Sequence, residues 1–252
     1  MEVHHHSHSE SLPAGKAGKK WYHYFWEFFM LFLAVTLGFF VENQREHFAE
    51  HQREKQFITS IAEDLKQDIY QLDSIIRARN NMNMIMDSLL YLLNYTDPKQ
   101  HGNEIYYYTR WIPRTYRFYT TDRTLSQLKN AGNWRLIRNG NVSNALATYD
   151  NLVRNITIYI EQREESLVLI LYQSINKMFD NKVFESMVDG LSFTRPKNNP
   201  QLILFDRATI NEFCNQVHFR KNSNLYFTKT AEKLFSEARK TLALIEKEYH
   251  LK

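Results

Sequence analysis

Hydrophobic and polar positions divide the chain into a polar N-terminus, an apolar segment and a long amphipathic remainder. Residues 1–20 are polar, and residues 21–41 are apolar, with His23 and Glu27 as the only side chains that carry charge near neutral pH. The uncharged part, residues 28–41, is only about 14 residues long, whereas a bilayer core needs roughly 20. Residues 21–41 reach that length and begin with Trp and Tyr, which are typical of a membrane–water interface. The pattern therefore predicts one transmembrane helix at residues 21–41.

Two other interpretations of this segment stay open: a buried helix of a globular core and a cleaved signal peptide. A core helix usually keeps a polar stripe, which is missing here, and no small-residue cleavage site follows the apolar run. We therefore expect an uncleaved signal anchor. Lys16, Lys19 and Lys20 precede the segment, while only Arg45 follows it closely. The positive-inside rule then places the N-terminal tail in the cytoplasm and residues 42–252 outside it.

The helical pattern continues beyond this segment. No Pro or Gly lies between Gly38 and Pro98, and apolar residues recur at helical spacings. The members of this apolar face are Ile58, Ile61, Leu65, Leu72, Ile75, Met82, Ile85, Met86, Leu89, Leu92 and Leu93. We expect the membrane helix to run into a long stalk helix, loosened at residues 80–83 and ended at Asp97 and Pro98.

A short helix is predicted for the middle of the chain. Residues 103–123 are expected to be irregular or briefly helical, and Thr120 or Thr121 can cap a helix over residues 122–130. Gly132 follows that helix at the position where a left-handed residue commonly ends one.

A long helix is predicted next, from a cap at Asn141 to about Asp180. Arg163 interrupts its buried stripe at an expected apolar position. The stripe consists of Leu146, Tyr149, Val153, Ile156, Ile160, Leu167, Ile170 and Ile175.

Two further helices are predicted after a loop that contains Gly190 and Pro200. Asp206 can cap a helix through about residue 219, and a last helix is expected over residues 223–249. No run of alternating strands is found in the sequence. The fold class predicted is therefore all-α, with a transmembrane helix that continues into a stalk helix and is followed by a helical bundle.

Three stretches resemble a family of bacterial envelope proteins. They are EFFMLFLAVTLGFFVENQRE at residues 27–46, REKQF followed by EDL within residues 53–65, and TLSQLKNAGNWRLIRN at residues 124–139. The family is a domain of unknown function in single-pass, helical envelope proteins of Gram-negative bacteria, and the resemblance covers about residues 27–150. It implies a single-pass protein of the bacterial inner membrane and carries over no catalytic residue.

Composition excludes several classes of protein. The 252 residues are 43% hydrophobic and 24% charged, which indicates one globular domain or two small ones rather than a disordered chain. A content of only 7 Gly and 5 Pro favours helices over a turn-rich sheet fold. Mean hydropathy of −0.52 excludes several membrane spans. The single cysteine, Cys214, excludes an intramolecular disulfide, and the net charge of +4 is too small to predict a nucleic-acid partner.

Two patterns of His residues are candidate metal sites. His47, Glu50 and His51 match the H-x-x-E-H pattern of zinc peptidases, in which both His residues bind zinc and the Glu activates water. A third ligand is not evident, and the competing interpretation is a solvated stalk face on which Glu50 pairs with Arg53. The second pattern is the N-terminal tract His4, His5, His6 and His8. That tract binds a transition metal or is simply a flexible tail. We expect no cofactor and no metal that folding requires.

Glu27 is a candidate because a carboxyl group inside a membrane span is a functional hypothesis by default, as in proton-driven motor subunits. The alternative is a carboxylate at headgroup level beside Trp26. Cys214 and His218 are four residues apart on a predicted helix, and we interpret Cys214 as a small buried residue rather than a nucleophile.

A candidate interaction surface combines aromatic and guanidinium groups: Tyr107, Arg110, Trp111, Arg114 and Arg117. Such groups recognise glycans, lipid headgroups or proteins, or they pack as a connector on the bundle. The first functional hypothesis is therefore a non-enzymatic membrane protein that acts through protein contacts, as a homo-oligomer or within an envelope complex. The alternatives are a ligand-sensing bundle that signals through a partner and, more remotely, a zinc hydrolase that uses His47, Glu50 and His51.

Overall fold

The structure is a computed structural model that describes residues 17–159 and 163–251. The predicted His tract at residues 4–8, and with it the lysine at position 16, lies outside the described residues. The described part contains seven α-helices and one short hairpin, which confirms the all-α class. The helices are α1 (Ala17–Tyr95), α2 (Gly102–Trp111), α3 (Arg123–Asn130), α4 (Gly140–Tyr159), α5 (Glu165–Met178), α6 (Asn181–Ser186) and α7 (Arg207–Tyr249), and the strands are β1 (Val188–Asp189) and β2 (Ser192–Phe193).

Helix α1 contributes to two compact units, Met1–Arg53 and Glu54–Lys252. In the first unit, every side chain of residues 21–49 is exposed. From Trp21 onward, helix α1 contains an apolar stretch with a mean hydropathy of 1.9, and by length and composition it is able to cross a membrane. This is the one such helix among the described residues, and it matches the predicted span.

The second unit is a bundle of three long helical segments: α1 from Glu54 onward, α4 followed by α5, and α7. Helices α4 and α5 both pack against α7. Helix α7 runs antiparallel to α1, because Lys66 lies 3.1 Å from Glu246 near the C-terminus of α7 while Asp87 pairs with Lys221 nearer its N-terminus. Asp206 caps α7 as predicted, since its carboxylate accepts a hydrogen bond from the Thr209 amide at 3.0 Å.

Two apolar clusters form the core of the bundle. The first joins residues 57–76 of α1 to α4 and the C-terminal half of α7, with Ile58, Leu146 and Leu234 among its fully buried members. The second joins the late turns of α1 to α2, α5 and the first turns of α7, with Met86 and Phe213 among its fully buried members. All members of the predicted stripe on α1 are buried or half-buried in these clusters, as the helical periodicity indicated.

The connection between α2 and α4 is held against α1 by buried acidic residues. Asp68 accepts hydrogen bonds from the Tyr149 hydroxyl at 2.5 Å, the Thr120 hydroxyl at 2.9 Å and the Thr121 amide at 2.7 Å. About four turns earlier on α1, Glu54 accepts a hydrogen bond from the Arg138 amide at 2.8 Å. Burial and the neighbouring carboxylate of Asp68 raise the pKa of Tyr149. Each acid therefore supplies an acceptor to a loop that would otherwise leave donors unpaired.

The predicted caps of two helices are wrong, although both helices exist. Helix α3 begins after Asp122, whose side chain makes no capping hydrogen bond. The cap comes from Asp64 on α1, which accepts hydrogen bonds from the Thr124 amide at 3.3 Å and from the Thr124 hydroxyl at 2.5 Å. Thr120 and Thr121 do not cap α3, because the Thr120 hydroxyl and the Thr121 amide both donate to Asp68. Helix α4 is capped by Asn139 rather than Asn141, because the Asn139 side chain accepts from the Asn141 amide at 3.0 Å. Gly132 is left-handed as predicted, with φ of 65°.

Three predictions of helix continuity are also corrected. The two C-terminal helices are one helix of 43 residues, and α1 is continuous through residues 80–83. The predicted helix 141–180 contains π-helical residues at Arg163 and Glu164, before α5. This change of register turns Ile170 outward, to 43% exposure, and buries Leu171 instead. The predicted stripe member Ile160 lies outside the described residues.

Candidate interaction site

Four of the five residues predicted for the interaction surface come together around the β-hairpin. The guanidinium carbon of Arg114 lies 4.4 Å from the ring centroid of Trp111 and 4.4 Å from that of Phe193. Arg110 lies over the same Phe193 ring at 4.7 Å, and Arg195 lies over Tyr107 at 5.0 Å. We call this set of side chains, Tyr107, Arg110, Trp111, Arg114, Phe193 and Arg195, the Arg–aromatic cluster.

Helix α2 and the hairpin position the cluster. Tyr107 and Trp111 are four residues apart and therefore lie on one face of α2, with their rings 6.3 Å apart. Trp111 meets Phe193 edge-on at 5.4 Å. The amide of Gly102, at the start of α2, donates to the Asn199 side chain at 2.6 Å. This contact ties α2 to the loop that follows the hairpin.

The Arg–aromatic cluster carries positive charge that few acidic residues neutralise. Within the described residues, Arg195 has one acidic neighbour, Glu104, at 3.9 Å, while Arg110 and Arg114 are held by rings rather than by carboxylates. Two buried donors, Arg110 Nε and Trp111 Nε1, have no acceptor in the part of the chain that the structure describes. The cluster is therefore a cationic and aromatic surface with unused hydrogen-bonding capacity.

Arg117 does not belong to this cluster. Its exposed guanidinium pairs with Glu165, and that hydrogen bond raises the pKa of Arg117. Sequence reasoning missed Phe193 and Arg195, because they follow α2 by more than eighty positions and no local pattern links them to it. The hairpin that presents them is only four paired residues, Val188 with Phe193 and Asp189 with Ser192.

A layer of buried charge separates the two apolar clusters. Glu164 Oε1 lies 2.6 Å from Arg79 Nη1 and 3.0 Å from Arg220 Nη1, and Glu164 Oε2 lies 3.0 Å from Arg79 Nη2. All three side chains are at most 1% exposed. Burial alone would raise the pKa of Glu164, but the hydrogen bonds and charges of the two arginines outweigh burial and hold it below its usual range.

Neutral groups complete the layer. Arg79 Nε donates to the Tyr116 carbonyl at 3.0 Å, and Arg79 Nη1 donates to Asn224 Oδ1 at 2.9 Å. The guanidinium also lies 3.5 Å above the Phe227 ring. Burial lowers the pKa of Arg79, although Glu164 opposes that effect. Arg220 Nη2 donates to the Arg114 carbonyl at 3.3 Å, so the backbone of the surface cluster also contacts the buried layer.

The remaining candidate residues are not assembled into a site. His47 and His51 are exposed and Glu50 is half-buried on α1, and no group of three or more potential ligands occurs among the described residues. Cys214 is buried in the second apolar cluster, where burial raises the pKa of its thiol. His218 is exposed, so the pair does not form a nucleophile and base. The Glu27 side chain is exposed within the apolar segment.

Two shallow grooves lie along α1, and one of them also borders α2. One, of about 370 Å³, is lined by Asp87, Ser88, Tyr91, Leu92, Glu104 and Tyr108. The other, of about 420 Å³, is lined by Lys66, Gln67, Tyr70 and Gln71. Both are open to solvent, and neither is the enclosed apolar pocket with converging polar groups that would favour ligand sensing.

Comparisons with protein-family models, with curated proteins and with solved structures found no match.

Proposed function

We propose that the protein is a membrane-anchored, non-enzymatic helical protein that acts through protein–protein contacts in a bacterial envelope complex or homo-oligomer. The observation that carries the proposal is the helix of the first unit, whose side chains are exposed throughout residues 21–49. An exposed apolar surface of this kind is unfavourable in water and is stabilised by lipid. The second unit then has the role of a folded domain held at a membrane surface.

The anchor supports a specific topology. Lysines before the span and the sparse positive charge after it place the N-terminal tail in the cytoplasm and residues 42–252 in the periplasm, with the inner membrane between them. This assignment agrees with the resemblance to the family of single-pass envelope proteins. The Arg–aromatic cluster supports the contact function, because Trp, Tyr and Arg are the residues that most often dominate the energy of protein interfaces.

A phosphatase fusion tests the topology. Alkaline phosphatase is active only outside the cytoplasm, so a fusion after Lys252 is expected to be active, and a fusion at Gly18 is expected to be inactive. An inactive C-terminal fusion that is expressed at the same level as the N-terminal one would reverse the topology. A fusion protein found in the soluble fraction of the cell would refute the anchor itself.

Crosslinking in native membranes tests the contact function. We expect an amine-reactive crosslinker to give discrete higher-mass species, and mass spectrometry to identify either a second copy or another envelope protein. A chain that stays monomeric and uncrosslinked at native abundance, over a range of crosslinker concentrations, would contradict the proposal.

A further inference from the structure

We propose that the Arg–aromatic cluster binds an acidic segment of a partner protein, with a carboxylate on Arg110 and Arg114 and an apolar side chain beside it. This inference rests on the proposed function, because it names the chemistry of the partner contact. It is carried by the geometry of the two arginines and of the hairpin next to them.

The two arginines contact the same aromatic ring. Both guanidinium groups lie over the ring of Phe193, at 4.7 Å for Arg110 and 4.4 Å for Arg114. Like charges held near one another repel, and the described residues provide neither of them with an ion pair. A partner carboxylate would relieve that repulsion, so the charge complement of this surface is an anion.

A carboxylate of the partner would bind the N–H groups at the edge of a guanidinium rather than its face. A guanidinium that lies on aromatic rings uses its face for the cation–π contact, and its N–H donors remain in the plane for bidentate binding of a carboxylate. Arg114 is held between Trp111 and Phe193. Its rotamer is therefore largely fixed before binding, which reduces the entropy that binding costs.

The hairpin provides apolar surface next to the arginines. Val188 is the cross-strand partner of Phe193 and so lies on the same face of the hairpin, and it is 51% exposed. Leu191, at the turn, is 99% exposed. Apolar side chains beside a cationic and aromatic surface match a peptide that contains both acidic and apolar residues. They do not match a glycan, which offers no aliphatic side chain of this kind.

Site-specific photocrosslinking in native membranes tests the inference on the full-length chain. The photoreactive amino acid benzoylphenylalanine replaces Leu191 in one variant and Tyr70, an exposed residue on α1 outside the cluster, in another. We expect the Leu191 probe to crosslink a protein, and sequencing of the crosslinked peptide to show Asp or Glu near the site of attachment. With Arg110→Gln and Arg114→Gln combined, we expect the crosslink yield to fall at least about tenfold.

The matched control is Arg117→Gln. It removes the same charge from the same connection, but from a residue that already pairs with Glu165, and the yield is expected to stay within about twofold. Circular dichroism melts verify that each variant is folded. Should the double variant unfold, Arg195→Gln replaces it, because Arg195 is exposed and its pair with Glu104 is long, at 3.9 Å.

The outcomes separate this inference from the proposed function. Protein crosslinks from Leu191 that persist in the folded double variant, or that map to segments without acidic residues, would overturn the acidic-segment inference and leave the contact function standing. Crosslinks from Leu191 to phospholipid or lipopolysaccharide alone would identify the surface as a lipid contact and also overturn it. An absence of protein crosslinks from both probe positions would contradict the contact function itself.

Discussion

Replacing Glu164 with Gln removes the acid that pairs with two buried arginines, Arg79 and Arg220. The substitution keeps the shape of the side chain and one acceptor oxygen, but it removes the negative charge and turns an N–H₂ group toward guanidinium donors. Glu164 is 0% exposed and lies between Arg79 and Arg220, at 2.6 Å and 3.0 Å. Breaking a buried ion pair by removing one partner costs about 3–5 kcal/mol, because the remaining charge is buried without compensation.

The neighbouring residue provides a matched control. Glu165 is 52% exposed and pairs with Arg117, and an exposed ion pair contributes only about 0–1 kcal/mol. We expect urea unfolding of the full-length protein in detergent, followed by helical circular dichroism, to separate the two variants. At a slope of about 2–2.5 kcal/mol per molar urea, a loss of about 4 kcal/mol lowers the midpoint of Glu164→Gln by roughly 1.5–2 M. The midpoint of Glu165→Gln should move by less than about 0.5 M.

The pH dependence of the same pair of proteins gives an independent test. Because the folded-state pKa of Glu164 is below its unfolded value of about 4.3, this carboxylate contributes stability that is fully present above that pH. The contribution is lost as the pH falls through the folded-state pKa, since the unfolded chain binds the proton more readily. Wild type should therefore lose stability on acidification by an increment that Glu164→Gln lacks. Equal midpoint shifts for Glu164→Gln and Glu165→Gln, together with parallel pH profiles, would refute the assignment of Glu164 to a buried charge layer.

Four further outcomes are expected in the same unfolding assay. Leu128→Ala should lower the free energy of unfolding by about 2–5 kcal/mol, because Leu128 is 0% exposed in the first apolar cluster. Leu191→Ala, at a 99% exposed position, should change it by less than about 0.5 kcal/mol. Equal effects of the two substitutions would show that α3 is not part of the core. Gly132→Ala should cost about 1–2 kcal/mol from its left-handed φ of 65°, while Gly140→Ala, at a helical position with open space, should stabilise by about 0.4–1 kcal/mol. Gly102→Ala should be the most damaging of the three glycine substitutions, since its Cβ would lie 2.0 Å from the Pro200 carbonyl oxygen, and a midpoint like that of wild type would place this backbone contact in doubt. Dialysis against a metal chelator should leave the melt unchanged, and a loss of stability that Zn²⁺ restores would disprove this.

The sequence by itself determined the structural elements that depend only on residues close to one another in the chain. Helix α1 could be predicted because apolar residues keep a helical period over a long stretch without Pro or Gly. The Asp206 cap and the left-handed Gly132 could be predicted because a carboxylate at an N-cap and a glycine after a helix act within one turn. Four members of the candidate surface were also found, because Tyr107, Arg110, Trp111 and Arg114 combine aromatic and guanidinium groups within one short stretch of the chain.

Tertiary structure decided what depends on distant partners. The sequence predicted two helices, one ending near residue 219 and one beginning at 223, yet Ser223 and Asn224 are buried within a single helix, where Asn224 donates to the Arg79 carbonyl at 2.9 Å and to Asn83 at 2.8 Å. A polar residue is compatible with a helix interior when another element supplies its hydrogen bonds, and periodicity along one chain segment does not contain that information.

Distant partners also explain which parts of the buried charge layer and of the Arg–aromatic cluster could not be predicted. Arg163 was expected to interrupt the apolar stripe, but the π-helical conformation at that point buries Glu164 between arginines of α1 and α7 instead. Phe193 joins the candidate surface because the β-hairpin places its ring under Arg110 and Arg114. Burial of a charge and stacking of a guanidinium both depend on groups far away in sequence, so only the folded chain determines which ionisable residues lie in the core and which lie at the surface.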